Sequence, residues 1–169
     1  MSYKSVNIFC YKKIKLLLIY KYFFRKLSLL KIILMLSHEI TFRVRYGETD
    51  QMGYVYYGNY AQYFEMGRVE WLRRLGISYK RMEASGIMLP VLNLNIDYIK
   101  PGKYDDLLRL KTTLLKKPSV RIEFGFELYN ESNELLTTGY TSLVFIDMEK
   151  NKPTRTPDYI KEKVDLLFD

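Results

Sequence analysis

Tyr46-Gly47-Glu48-Thr49-Asp50-Gln51-Met52-Gly53-Tyr54-Val55-Tyr56-Tyr57-Gly58-Asn59-Tyr60 is the stretch on which the reading of this chain turns. Immediately before it, Ile40, Phe42, Val44 and Tyr46 alternate with Thr41, Arg43 and Arg45. That period of two predicts a strand with one buried face, and it assigns Tyr46 to the core. Gly47 to Gly58 reads as a loop. Asn59 is then placed to cap a helix. Tyr60, Phe64, Gly67, Trp71 and Leu75 recur at helical spacing as one apolar stripe, with Gln62, Glu65 and Arg73 on the other side. Gly76 suits the left-handed position that ends a helix. Gly67 lowers helix propensity by about 1 kcal/mol relative to Ala, and close packing of the helix backbone on a sheet is the reason to expect it there.

Outward from this unit, residues 77–86 read as a short helix or turn, and four strand-like runs follow. Leu92, Leu94, Ile96 and Tyr98 alternate up to Pro101-Gly102, and Leu108, Leu110, Thr112 and Leu114 up to the turn at 116–119. Val120, Ile122, Phe124, Phe126 and Leu128 form the next run. Leu136, Thr138, Tyr140, Ser142, Val144 and Ile146 carry the last. A short helix is expected at about 157–167. The order β-α-β-β-β-β, with strands joined by short turns, predicts an α+β fold. An antiparallel sheet curves over one long apolar helix.

The spacing Asp-x-x-Gly, three residues, an aromatic residue or histidine, then x-Asn-Tyr opening a helix resembles the 4-hydroxybenzoyl-CoA thioesterase family and its Tol-Pal-associated acyl-CoA thioesterase branch. The resemblance spans residues 39 to about 160. It implies a hotdog fold, an acyl-CoA substrate, and a homodimer or homotetramer whose sites draw on two subunits. It implies further that Asp50 is the catalytic carboxylate and that Asn59 and Tyr60 open the central helix. Tyr46 matches a tyrosine near the site. Tyr57 stands where the Tol-Pal-associated branch has histidine and the hydroxybenzoyl-CoA branch has tyrosine. The motif speaks to the family and not to the acyl group.

Thioester hydrolysis requires an attacking oxygen and preset donors for the oxyanion. Asp50 can serve as general base or as nucleophile. The first turn of a helix offers unpaired N–H groups and a positive dipole end, and Tyr57, Gly58 and Asn59 lie there. Gly53, Gly58 and Asn59 are the loop's candidate substrate-binding positions, Gly58 because it admits close approach to the backbone. Lys116, Lys117 and Arg121 could meet the phosphates of coenzyme A; a solvated turn is their plainer reading. Glu65 and Glu70 are read as facing solvent or a subunit contact. No metal or redox cofactor is expected. The reading is an acyl-CoA thioester hydrolase; the alternative is a non-catalytic module that binds acyl-CoA or acyl carrier protein.

Composition bounds this reading. The chain has 169 residues, 16 Tyr and 9 Phe, and a formal net charge of +8. Eight of its 27 basic residues and none of its 19 acidic ones precede Met35. The remainder is therefore formally neutral, which argues against a nucleic-acid groove. Cys10 is the only cysteine, so no internal disulfide forms, which fits a reducing cytoplasm. The single His38 reads as an ordinary residue of the first strand.

Residues 1–34 are rich in Lys, Leu, Ile, Tyr and Phe. Lys21, Arg25, Lys26 and Lys31 interrupt any apolar run long enough for a signal peptide or a membrane span. One reading is a basic amphipathic helix on an anionic membrane. The favoured one is an extension outside the fold, with Met35 as the functional start, leaving 35–169 as the thioesterase domain. A chain beginning at Met35 is expected to stay soluble and keep its turnover. Precipitation, or loss of activity on a substrate that the full chain cleaves, would overturn this division.

Overall fold

The computed structural model describes residues 22–23 and 35–168. The chain divides into two compact units, Met1–Met35 and Leu36–Asp169. The readings of residues 1–34 lie almost wholly outside the described residues; Tyr22 and Phe23 are helical and exposed.

In the second unit, β1 (Ser37–Arg43) leads through a short 3-10 turn (Tyr46–Glu48) and a loop into the long helix α1 (Asn59–Arg74). Next come α2 (Tyr79–Ala84), β2 (Ile87–Met88), β3 (Val91–Tyr98), β4 (Leu107–Leu114), β5 (Arg121–Tyr129) and β6 (Leu135–Val144). The chain then makes β7 (Ile146–Asp147), β8 (Lys152–Pro153) and α3 (Asp158–Asp165). Five strands form one antiparallel sheet in the order β1-β4-β5-β6-β3. The short β2, β7 and β8 form a second antiparallel sheet, which the sequence reading did not foresee.

One face of the large sheet carries the core. Leu108, Leu110, Thr112 and Leu114 of β4 stand beside Ile122, Phe124, Phe126 and Leu128 of β5, all buried. The other face is polar, with Arg109 paired to Glu39 at 2.8 Å and Lys111 to Glu127 at 2.6 Å. Helix α1 lies on the apolar face. Its Phe64 ring stacks on Phe126 at 4.4 Å and 6°, and Trp71 meets Phe124 edge-on at 5.3 Å.

Two glycines set the depth of that contact. A methyl group added at Gly67 would press on Thr112 Oγ1 and come within 2.7 Å of Leu110 Cδ2. One added at Gly139 of β6 would come within 2.7 Å of Phe64 Cζ. The apolar stripe is as the sequence indicated, save that Leu75 is only half-buried, while Tyr63, Leu72 and Arg68 join the buried face.

Four local expectations are corrected. Gly58 occupies the N-cap, Asn59 is the first helical residue, and its side chain is used elsewhere. Tyr46 is 81% exposed and not in the core, because the strand ends at Arg43 and the chain turns before reaching it. In β6 the inward residues are Thr137, Gly139, Thr141 and Leu143, not the even-numbered set. A bulge skips Leu136 between the pairs Leu128–Thr137 and Tyr129–Leu135, and this shifts the alternation by one. The last strand also stops at Val144, and Ile146 belongs to the small sheet. Gly76 does hold the expected left-handed φ, at 69°.

Gly139→Ala is expected to destabilise the fold by about 1–3 kcal/mol, since the stacked Phe64 ring cannot yield. Urea unfolding measures it; an unchanged midpoint would show that the helix can lift off the sheet without cost.

Candidate active site

The site is assembled where β1 hands over to α1. Glu48 ties the handover together. Its Oε2 accepts the Arg45 N–H at 2.8 Å and the Tyr63 hydroxyl at 3.0 Å. Its carbonyl accepts the Tyr56 N–H at 2.9 Å and the Asn59 side-chain amide at 2.7 Å. Burial, then this bond to Glu48, pushes the Tyr63 phenol well above its ordinary pKa, so it stays a donor. The loop between is pinned further by the Val55 N–H on Gly102 O at 2.8 Å and by the Gly102 N–H on the Tyr60 hydroxyl at 3.2 Å.

Within this frame Asp50 sits in a tight turn. Its N–H donates to Tyr54 O at 2.8 Å and its carbonyl accepts the Gly53 N–H at 3.0 Å. Gly53 holds φ 75°, which explains the glycine. The carboxylate oxygen Oδ1 accepts the N–H groups of Met52 at 2.9 Å and Tyr54 at 3.3 Å. Among the described residues Oδ2 has no hydrogen-bond partner, so one oxygen is anchored and the other is available.

A cavity of about 320 Å³ joins this carboxylate to the start of α1. Asp50, Tyr57, Tyr60 and Tyr98 line it, with Met52, Tyr54, Val55, Ile99, Lys100 and Pro101 around them. The N–H groups of Tyr57 and Gly58 have no backbone partner among the described residues, whereas that of Asn59 is taken by Tyr56 O at 2.9 Å. Asp50 and the residues Tyr57 and Tyr60 at the start of α1 thus line one tyrosine-rich cavity. A methyl group at Gly58 would lie 2.8 Å from the exposed Tyr56 ring, which would have to shift to admit it.

The other sequence candidates fall elsewhere. Tyr46 meets Tyr104 edge-on at 5.6 Å and does not line the cavity of Asp50. Lys116 pairs with Glu123 and Lys117 with Asp165, each at 2.9 Å, and Arg121 is exposed at the start of β5. All three lie past the end of β4 that faces Ser37, while Asp50 follows the far end of β1, where Arg43 pairs with Leu107. The seven residues of β1 put about 20 Å between them, so one chain does not bring these cations to Asp50. Glu65 is exposed and Glu70 pairs with Arg73. Both line a larger depression of about 660 Å³ between β1 and the helix flank, away from the helix N-terminus. The lone His38 is held below its ordinary pKa, by burial first and Arg74 second. Sequence reading missed Tyr98, Ile99 and Lys100, because only the β3–β6 pairing carries the end of β3 to this cavity.

The fold is thus an antiparallel sheet bearing one long helix, with Asp50 and the start of that helix lining one cavity. A family model, the thioesterase-like superfamily, matches residues 44–164, and the chain belongs to that superfamily. It is 37% identical over 110 residues to the putative acyl-CoA thioesterase YneP of Bacillus subtilis, covering 65% of this chain and 80% of that protein. It is 30% identical over 118 residues to the acyl-CoA thioester hydrolase YbgC of Escherichia coli, covering 70% and 88%. Among solved structures, the DHNA-CoA thioesterase of Staphylococcus aureus superposes with a TM-score of 0.72 at 38% identity, covering 78% of this chain and 93% of that one. The architecture is accordingly hotdog-like.

Proposed function

We propose a route by which this chain, an acyl-CoA thioester hydrolase, cleaves its substrate to free acid and CoA. One observation carries it: a single cavity is lined by Asp50 and by Tyr57, whose N–H has no backbone partner among the described residues. The thioester carbonyl docks against the Tyr57 and Gly58 amides. Asp50, through Oδ2, either draws a proton from water as that water attacks or attacks the carbonyl itself. The carbonyl oxygen becomes an oxyanion held by the amides, and the helix dipole favours that charge. Collapse of the tetrahedral centre breaks the carbon–sulfur bond and releases the CoA thiolate, a good leaving group that needs no strong acid; where water attacked, the acid is already free, and where Asp50 attacked, water then hydrolyses the acyl–Asp50 anhydride to the free acid and restores the carboxylate. The Tyr57 side chain forms a wall and leaves the chemistry to its backbone. Tyr46 keeps a part in the site only if another subunit covers it.

Tyr57, Tyr60, Tyr98, Val55 and Ile99 make the cavity suited to an aliphatic or aromatic acyl group. A specific aromatic acyl-CoA, including a naphthoyl-CoA of quinone synthesis, is the second reading, and the likeness to a DHNA-CoA thioesterase supports it. The Asp50, Gly53 and Asn59 motif supports membership of the 4-hydroxybenzoyl-CoA and Tol-Pal-associated branches in particular. The reaction is assigned to the cytoplasm, in keeping with the single cysteine. No helix among the described residues is long and apolar enough to cross a membrane.

The working unit is a homo-oligomer, at least a dimer. The edge strand β3 exposes Val91, Leu92, Leu94 and Tyr98 beside the cavity, an apolar edge that water does not satisfy. Light scattering after size exclusion should find no stable monomer, and a species of one chain's mass would refute the arrangement.

A panel of acyl-CoAs with a thiol reagent identifies the best substrate. On it, Asp50→Asn is expected to lower kcat on the order of 10²–10⁴-fold with the fold intact, while Tyr57→Phe changes turnover little. Full activity in Asp50→Asn would remove the carboxylate from the mechanism. A 10²-fold loss in Tyr57→Phe, the size of a removed oxyanion donor, would bring its hydroxyl in.

A further inference from the structure

Arg68 lies in the middle of α1 and is only 7% exposed, yet it carries its charge without a carboxylate. None of the ion pairs among the described residues includes it, and its Nε is buried without a hydrogen-bond partner. Its guanidinium instead sits over the Tyr79 ring, 5.5 Å from the centroid. That phenol does not neutralise it. Burial, against the pull of Arg68, pushes the Tyr79 pKa up to about 12, and the hydroxyl is itself buried without a partner. A buried charge without a counter-charge is costly, and it calls for an anion from outside the chain. Arg68 lines a cavity of about 280 Å³ between α1 and the edge strand β3, with Ala61, Phe64, Glu65, Val91 and Leu94. Glu65 precedes Arg68 by three residues, about 4.5 Å along the helix axis. Such spacing allows an ion pair within one helix, but none forms, and Glu65 stays exposed. One flank of α1 thus offers an exposed carboxylate beside a cation without a counter-charge.

We propose that this flank of α1 is a self-association surface, on which Glu65 of each chain pairs with Arg68 of a second copy. A two-fold axis makes every contact across it occur twice with the roles exchanged. With the two helices antiparallel and the axis crossing between residues 65 and 68, one carboxylate–guanidinium contact brings the other with it. Val91 and Leu94, 51% and 38% exposed, border the same cavity, so one partner covers the apolar edge and supplies the missing counter-charge. The charge on the cavity wall favours a second copy over a small anion from solution. Glu65 repels a free anion that enters beside it, whereas in a second copy Glu65 is the very group that pairs. The inference rests on the reading of this chain as a homo-oligomer, and it adds which charges define the contact.

The test measures the dissociation constant of the full chain by analytical ultracentrifugation and repeats it on charge-swap variants. Glu65 is exposed, so Glu65→Arg leaves the fold intact. It is expected to raise the dissociation constant by about 10²-fold or more, because like charges then face each other. Arg68→Glu alone is expected to weaken association in the same way. Mixed in equal amounts, the two variants restore both attractive pairs and should form a heterodimer within about tenfold of wild-type affinity. If Arg68→Glu does not fold, Arg68→Met takes its place, and its mixture with Glu65→Arg should still associate more tightly than Glu65→Arg alone. An unchanged dissociation constant in Glu65→Arg overturns the proposal, as does a mixture no tighter than Glu65→Arg alone. Arg68→Met that associates like wild type but raises KM for the best acyl-CoA also overturns it, for then the anion is the substrate's. A monomeric wild-type chain removes the homo-oligomer reading and this inference together. A wild-type oligomer that Glu65→Arg leaves undisturbed removes the inference alone.

Discussion

The seating of α1 on the sheet is the contact from which the rest follows. Gly67 lets the helix backbone come down onto Leu110 and Thr112, and Gly139 opens the sheet beneath the Phe64 ring. A side chain at either position would push the helix away by a fraction of an ångström to several, and packed interiors do not absorb such shifts freely. The depth and tilt of a helix fixed along its length also fix its ends. The N-terminus of α1 is therefore delivered to one rim of the sheet as a rigid object, with its unpaired amides facing outward.

The loop before the helix then needs only to carry one carboxylate to that rim. Glu48 accomplishes this. It takes four hydrogen bonds through its side chain and carbonyl, and they join the end of β1, the cavity loop and the first turns of α1. Read from sequence alone, Glu48 is a bystander two residues from Asp50; in the fold it is the clamp that positions the turn. The division of labour between the two acids comes from their surroundings. Each acid accepts its hydrogen bonds on one side-chain oxygen, Glu48 through Oε2 and Asp50 through Oδ1. What separates them is place: Asp50 lines the cavity and Glu48 does not.

The edge strand β3 joins this site to assembly. Its outer positions are apolar and exposed, and its last residue reaches the cavity. That exposed apolar surface thus abuts the Asp50 cavity, so a partner chain that covered it would also border the cavity. This geometry accounts for cations such as Lys116, Lys117 and Arg121 being remote from Asp50 within one chain. A strand's length separates them.

Much of this was written in the sequence, because it depends on neighbours in the chain. The period-two and helical repeats located β1, β3, β4, β5 and α1, and the left-handed turn at Gly76 followed from the need for a residue without a Cβ. The Asp50 to Tyr60 motif, local in sequence, pointed to the chemistry. What the sequence could not supply depended on distant partners. The bulge at Leu136 turned β6 by one residue, which no alternation pattern encodes. Tyr46 left the core because the strand ended before it, and Tyr98 and Lys100 entered the cavity because β3 pairs with β6. Local periodicity thus located most of the elements, and the motif's resemblance singled out Asp50. The tertiary structure alone decided which side chains surround that acid, since the groups that meet across a sheet are chosen by strand pairing and not by proximity along the chain.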